Sequence, residues 1–287
     1  MKKLPTNLTP LIDGDWIVYM CCQAIEYSCE GEPKLQDIVD VFDHKIEEIV
    51  KTLGGTTEPP IIFYTGQANF RKERATTKVY KGNRKDKERP FHYENLKNYI
   101  STKYACLVNP ATEADDMMAI WQTQWEECKP LDHEGECIIV TVDKDLRQVN
   151  GWHYSPEGHN FPSFGPTFVT DDNSYINLKN PVNPGKGLIG TGYKFFWSQV
   201  ITGDSVDNIP GLPKAGPKFA YELLKDVDSE YACYEAVKGA YRDVLLNADD
   251  CLREQVDLLY MVRELDGGGY PVMYTYPEEV KDVCVSV

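Results

Sequence analysis

Eight carboxylates in this chain fall at positions where a hydrolytic metal site would need them. Asp13 ends a short apolar run, Leu8 to Ile12. Glu113-Ala-Asp115-Asp116 follows another, Tyr104 to Val108, and Asp143-Lys-Asp145 closes a third, Cys137 to Val142. Asp204-Ser-Val-Asp207 lies at the end of an apolar helical segment. Carboxylates crowded into one small space need protons or cations to offset their repulsion. Oxygen donors without Cys or His companions suit Mg²⁺ or Mn²⁺ better than zinc. Each piece alone has a plainer reading: Thr112-x-x-Asp115 fits a helix capping box, Asp143 and Asp145 fit an ordinary turn, and Asp204 with Asp207 fits a solvated face. Those readings leave unexplained why the first three groups share one edge. Two ions at such an edge suit phosphodiester hydrolysis, one activating a water and the other stabilising the leaving oxygen.

Phosphate must then be gripped by cations. The 287 residues carry 30 Lys and Arg against 45 Asp and Glu, a net charge of −15, and an acidic chain is normally a poor partner for nucleic acid. The distribution answers that objection. Residues 71–89 hold Arg71, Lys72, Arg74, Lys78, Lys81, Arg84, Lys85, Lys87 and Arg89 against Glu73, Asp86 and Glu88. Within that run, Tyr80-Lys81-Gly82-Asn83-Arg84 sets a phenol beside two cations, a pattern suited to stacking on a base while holding phosphates. A solvated surface loop is the plainer alternative. A second element, Gly203 to Lys218, alternates glycine and proline. Gly216-Pro217 there opens a helix whose free N–H groups can approach phosphate, beside Lys214 and Lys218. The plainer alternative is a connection between two helices.

The elements that position these groups follow from periodicity. Strands are expected at 8–12, 61–64, 104–108 and 137–142, and helices at 35–53, 93–103 and 113–127. Strands alternating with helices imply a largely parallel sheet. Residues 151–187, rich in Pro, Gly and Asn, are expected to form a loop or a small hairpin. From Phe195 the pattern is helical, over about 194–202, 216–226, 229–246 and 250–263. The expected fold is therefore α/β, a central parallel sheet with flanking helices. The expected domains are an α/β domain over 1–192 and a helical region over 193–287 packed on the same core.

Several classes are set aside. No apolar run reaches the roughly 18 residues of a membrane span. The nine cysteines are an odd set without a CxxC pair, so a reducing cytoplasm is expected rather than a disulfide framework or a zinc site. Gly187-Leu-Ile-Gly-Thr-Gly192 has P-loop spacing, but Tyr193 stands where Lys belongs and no strand-to-helix context is evident. Asp171-Asp-Asn-Ser-Tyr175 lacks the donors of a calcium loop, and His153 and His159 sit in loop sequence without zinc-spaced partners.

The segments Ile12-Asp-Gly-Asp-Trp16, Tyr80 to Arg84, Glu113 to Asp116, Thr141 to Asp145 and Gly203 to Lys218 resemble, in order and spacing, the 5′-nuclease and flap endonuclease family. The small bacteriophage 5′→3′ exonucleases are the nearest in kind. The resemblance implies a PIN/5′-nuclease-like fold with a basic helical arch over about 67–103 and a helix–three-turn–helix that grips duplex DNA. It implies that Asp13, Glu113, Asp115 and Asp116 hold one metal region, and Asp143, Asp145, Asp204 and Asp207 the other. Lys81 and Arg84 correspond to cations that contact the scissile phosphate. Arg71, Lys72, Tyr80, Gly211, Lys214, Gly216 and Lys218 are the expected DNA contacts, with a potassium ion at the Gly211–Gly216 turn in some relatives. The implied partner of such a monomer is DNA with a free 5′ end, flap or nick, or an RNA/DNA hybrid. The compartment is the cytoplasm, a host's if the source is a phage. Two departures stand out: Gly66 occupies the place of an acidic ligand after the second strand, and Gln199 replaces a basic residue. The rival readings are a PIN-like ribonuclease, which generally lacks the Gly211–Lys218 element, and a non-catalytic DNA-binding protein with a decayed metal site.

Overall fold

A computed structural model describes residues 2–55, 57–84, 88–158 and 162–277. Lys85, Asp86 and Lys87 of the basic run, His159, and the chain beyond 277 lie outside the described residues. The described chain divides into two compact units. One comprises residues 2–73, 84–172 and 261–272, the other residues 74–83, 173–260 and 273–277.

The first unit runs β1 (Thr9–Asp13), α1 (Gly14–Glu26), α2 (Leu35–Thr52), β2 (Ile61–Tyr64), α3 (Phe70–Arg74), α4 (Tyr93–Lys103), β3 (Ala105–Val108), α5 (Ala114–Thr123), α6 (Trp125–Cys128), β4 (Cys137–Val140), β5 (Gly151–Ser155) and β6 (Phe164–Val169). The strands form one sheet in the order β3-β2-β1-β4-β5-β6, parallel except for the antiparallel edge strand β6. Every residue of β1 is buried, as a central strand covered on both faces requires. Side chains alternate across the sheet. Ile12, Ile62 and Val140 join Ile17, Val18, Ile38, Phe42, Leu96 and Ile100 from α1, α2 and α4 in one apolar cluster. Leu11, Phe63 and Ile139 join Met118, Ala119 and Trp125 from α5 and α6 in another.

Four expectations change here. A helix, α1, follows β1 directly; its buried Ile17, Val18, Cys21 and Cys22 lie at helical spacing. The helix expected over 113–127 breaks at Gln124 into α5 and α6. Residues 93–103 are not part of an arch, because Tyr93, Leu96 and Ile100 are buried with α1 and α2. Residues 151–187 are not a plain excursion either: β5 extends the sheet in parallel and β6 closes its edge. His153 therefore lies buried within β5, where burial pushes its pKa down to about 4.

The second unit carries the hairpin β7 (Tyr175–Leu178) and β8 (Leu188–Thr191), then α7 (Gly192–Thr202), α8 (Pro217–Leu224), α9 (Glu230–Val244) and α10 (Ala248–Leu259). It closes its own core around Phe195, Phe196, Trp197, Val200, Leu252 and Val256. This unit starts at residue 173 rather than 193 and takes in residues 74–83. β8 runs directly into α7, so the Gly187–Gly192 spacing does lie at a strand-to-helix junction, contrary to the expectation from the sequence. No loop separates the two elements. Among the described residues, no helix is long and apolar enough to cross a membrane.

Candidate functional site

The sheet order places a reversal between β1 and β4, since β2 and β3 extend one way and β4 and β5 the other. The crevice outside the carboxyl ends of strands at such a reversal is where open α/β sheets bind ligands. Asp13 is the last residue of β1 and Asp143 lies just past β4. Asp13 caps α1, accepting the Trp16 amide at 3.0 Å through Oδ1. Its Oδ2 accepts the Thr141 hydroxyl at 3.1 Å, and Thr141 Oγ1 in turn accepts the Asp143 amide at 3.1 Å. Asp143 Oδ1 accepts the Asp145 amide at 2.8 Å, and Lys144 donates to Asp145 Oδ1 at 2.8 Å. Desolvation, reinforced by Asp15, pushes the Asp13 carboxyl up to about 6. Desolvation, reinforced by Asp145 and Asp13, pushes Asp143 up to about 7. Two carboxyl groups are thus held against their own ionisation where a positive charge would relieve both.

A carboxylate does reach the end of β2, from the helix that follows β1. Asp15, in the first turn of α1, accepts the Thr65 amide at 2.9 Å and the Tyr93 hydroxyl at 3.1 Å. Gly66 itself has no room for a side chain, since a Cβ there would lie 1.9 Å from the Asn109 carbonyl oxygen.

At the start of α5 the expected ligands separate. Glu113 is the N-cap and exchanges capping hydrogen bonds with Asp116. Asp115 is half-exposed in the first turn. Asp116 is fully buried and bound by both Nη atoms of Arg71 at 2.6 and 2.8 Å, and Arg71 Nη1 also reaches Glu113 Oε2 at 3.3 Å. Two expectations are corrected. Arg71, 1% exposed, is not a DNA contact in this arrangement, and both oxygens of Asp116 are engaged by protein donors. The sequence carried one signal for this pairing, since Phe70 and Ala75 bracket the first cations of the basic run with apolar positions.

The second unit gathers a separate set. Asp204 Oδ1 accepts the Val206 and Asp207 amides, forming a tight turn. Asp207 Oδ2 accepts the Tyr80 hydroxyl at 3.1 Å and lies 3.8 Å from Lys81 Nζ. Lys81 is held in the left-handed region at φ 55° while its amide donates to the Asp207 carbonyl at 2.8 Å. Such a conformation in a non-glycine residue persists only where its surroundings enforce it. Asn83 donates to the Ser205 carbonyl at 2.6 Å. Thr76 and Thr77 direct both amides and both hydroxyls onto Glu254 of α10, at 2.5 to 2.9 Å. Glu254 is a residue the sequence reading did not single out. Tyr80 is 5% exposed with its ring in the core, so it supports Lys81 rather than stacking on a base. Gly211, at φ 64°, closes a turn where a Cβ would lie 2.4 Å from the Gly203 nitrogen. Its amide is engaged by Gln255 at 2.9 Å and does not face a phosphate. Lys72, Arg84, Lys214 and Lys218 are exposed, and Gly216 caps α8 ahead of Pro217. Phe219, 45% exposed beside Lys218, also went unnoticed in the sequence.

Among the described residues, no three His, Cys, Asp or Glu side chains stand close enough to enclose an ion as they are. The donor chemistry nonetheless fits a hard divalent cation: Asp13, Asp143 and Asp145 offer oxygen alone, and the first two carry raised pKa values.

Fold and site together define an α/β protein with carboxylates at a topological switch point. No family model matches the chain. The flap endonuclease Xni of Shewanella piezotolerans is 29% identical over 145 residues, covering 50% of this chain and 49% of that protein. DNA polymerase I of Deinococcus radiodurans is 29% identical over 165 residues, covering 55% of this chain and 15% of the polymerase. The chain thus matches about half the length of the flap endonucleases it resembles. In structure, the T5 D15 protein co-crystallised with metal ions superposes with a TM-score of 0.53 at 14% identity, over 88% of this chain and 100% of that one. T5 5′-exonuclease with zinc bound gives 0.52 at 15% identity, over 88% and 100%. The chain is thus similar over about half its length to flap endonucleases and to DNA polymerase I, and it shares its fold with T5 5′-exonuclease.

Proposed function

We propose that this chain is a divalent-metal-dependent 5′→3′ exonuclease and structure-specific flap endonuclease that hydrolyses DNA phosphodiesters. The observation that carries the reading is the pair Asp13 and Asp143, set at the carboxyl ends of the neighbouring strands β1 and β4 at the sheet reversal and both pushed toward neutrality. The names of the sequence relatives, flap endonuclease and DNA polymerase I, point the same way. Asp13, Asp143, Asp145, Asp115 and Glu113 are the residues that would hold Mg²⁺ or Mn²⁺ in the first unit, and Asp204 and Asp207 those of the second. When bound, two such ions supply an activated water and charge stabilisation for the leaving oxygen. Thr141 fixes the orientation of the Asp13 carboxylate by donating to it, and holds the backbone at Asp143 by accepting its amide. Lys81, immobilised by Asp207 and Tyr80, and Arg84 act on the reacting phosphate. Lys72, Lys214 and Lys218 hold backbone away from the cut, with a potassium ion at the Gly211–Gly216 turn as part of the same grip. The substrate is DNA with a free 5′ end, flap or nick, bound by a monomer. The test is product mapping on a 5′-labelled flap with Mg²⁺, beside nicked duplex and single-stranded RNA, each with and without chelator. Chelator-sensitive cleavage of the flap is expected. Cleavage of the RNA alone would replace this reading with a ribonuclease.

A further inference from the structure

The acidic turn that opens α5 contains a charge pair that ion binding does not explain. The Arg71 guanidinium meets Asp116 with two parallel hydrogen bonds, Nη1 to Oδ2 and Nη2 to Oδ1. Oδ1 also accepts the Val262 amide at 3.1 Å, and Oδ2 the Glu113 amide at 3.3 Å. Four donors on two oxygens approach the accepting capacity of a carboxylate. The same Arg71 Nη1 reaches Glu113, whose neighbour Asp115 is half-exposed. Both members of the Arg71–Asp116 pair are buried, where a two-pronged guanidinium contact is directional and the loss of one partner is costly.

We infer that Arg71 is a positioning residue for the metal edge: it withdraws Asp116 from ion binding, fixes Glu113, and sets how much negative charge that edge presents to a divalent cation. The inference rests on the metal-dependent reading above. A bound ion and Arg71 compete for the same oxygens, so the ligands of the first unit are Asp13, Asp115, Asp143 and Asp145 with Glu113, and not Asp116.

The test is Mn²⁺ titration of the full chain by calorimetry, with bound ions counted by paramagnetic resonance. Asp116→Asn keeps the acceptor for Val262 and should bind the same number of ions with affinity changed less than about threefold, whereas Asp143→Asn should weaken binding about tenfold or more, as loss of a ligand from a hard-cation site does. Arg71→Met should tighten Mn²⁺ binding about fivefold, because Asp116 becomes available to the ion. Arg71→Met with Asp116→Asn should return to the affinity of the unaltered chain, a reversal that a mere structural brace does not produce. Replacing both members of a buried pair is tolerated better than replacing one, so the double variant reports even if Arg71→Met does not fold. The inference is overturned if folded Asp116→Asn loses an ion as Asp143→Asn does, or if the double variant binds more tightly than the unaltered chain. Absence of Mn²⁺ binding by the unaltered chain would overturn the metal reading itself and this inference with it.

Discussion

Asp13 and Asp143 resist ionisation through burial first and neighbouring carboxylates second, and this gives a measurable sign. Their folded values of about 6 and about 7 stand above the ordinary 3.8. As pH rises from about 4 to about 7, the unfolded chain releases protons that the folded chain keeps. The stability these groups contribute is therefore complete at low pH and lost as pH rises through the folded values. A divalent cation removes that loss and binds more tightly once the protons leave. The rise in Tm on adding Mg²⁺ should accordingly be larger near pH 8 than near pH 5, read by calorimetry with and without the ion. His153 works in the opposite sense, losing stability as pH falls toward its value of about 4, but it is common to both samples and cancels in the difference. An equal shift at both pH values would mean that these two carboxyls are not at the ion. Gly66 supplies a second prediction at this scale. Restoring an acid as Gly66→Asp forces a Cβ onto the Asn109 carbonyl, which should cost about 3 kcal/mol or more of stability. It should not lower the Mg²⁺ requirement. Asp15→Ala, by contrast, should raise the Mg²⁺ concentration for half-maximal cleavage, because Asp15 is the acid that reaches the end of β2. A metal titration unchanged by Asp15→Ala would remove Asp15 from the site.

At the scale of elements, the segment 74–83 carries Lys81 and is tied down at both ends. Glu254 holds Thr76 and Thr77, while Asp207, Asn208 and Ser205 hold residues 79 to 83. Misplacement of a phosphate-contacting cation by about an ångström costs on the order of a hundredfold in rate where position is critical. Glu254→Ala should therefore lower the single-turnover rate by about tenfold or more, with DNA affinity nearly unchanged. A variant that loses affinity and keeps its rate would show that Glu254 serves binding instead. This clasp could not be read from the sequence, since Glu254 sits 177 residues from Thr77 in an ordinary amphipathic helix. The acids at the ends of β1 and β4 were legible because apolar runs ending in Asp mark both the strand and its carboxyl edge. Ile17, Val18, Cys21 and Cys22 repeat at the helical spacing of α1, but Asp13 both ends β1 and caps α1, so the sequence marks no boundary between them. Tyr80 and Arg71 were misassigned for one reason: a charge run reads as surface, and composition does not reveal which of its members turn inward. The edge strands β5 and β6 hid within a stretch whose Pro, Gly and Asn content reads as loop.

For the whole molecule, a net charge of −15 makes long-range attraction to DNA unfavourable, so the proposed function requires affinity to come from a few exposed cations acting at contact range. Lys214 and Lys218 are exposed on the turn before α8, whereas Lys81 is half-buried and paired with Asp207. A cation that neutralises one phosphate releases about one counterion, so its loss should flatten the salt dependence of log K by about one unit of slope. Lys218→Ala should do this and weaken binding on every sequence alike, while its single-turnover rate at saturating DNA stays near that of the unaltered chain. Lys81→Ala should do the reverse: the rate falls strongly because charge developing at the reacting phosphate loses a preorganised partner, and the salt slope moves little. Single-turnover rates and Kd across a salt series separate the two. Equal losses of affinity in both variants, with both rates intact, would mean that the cations are interchangeable surface charge. Lys81 would then have no reason to occupy the left-handed conformation in which Asp207 holds it.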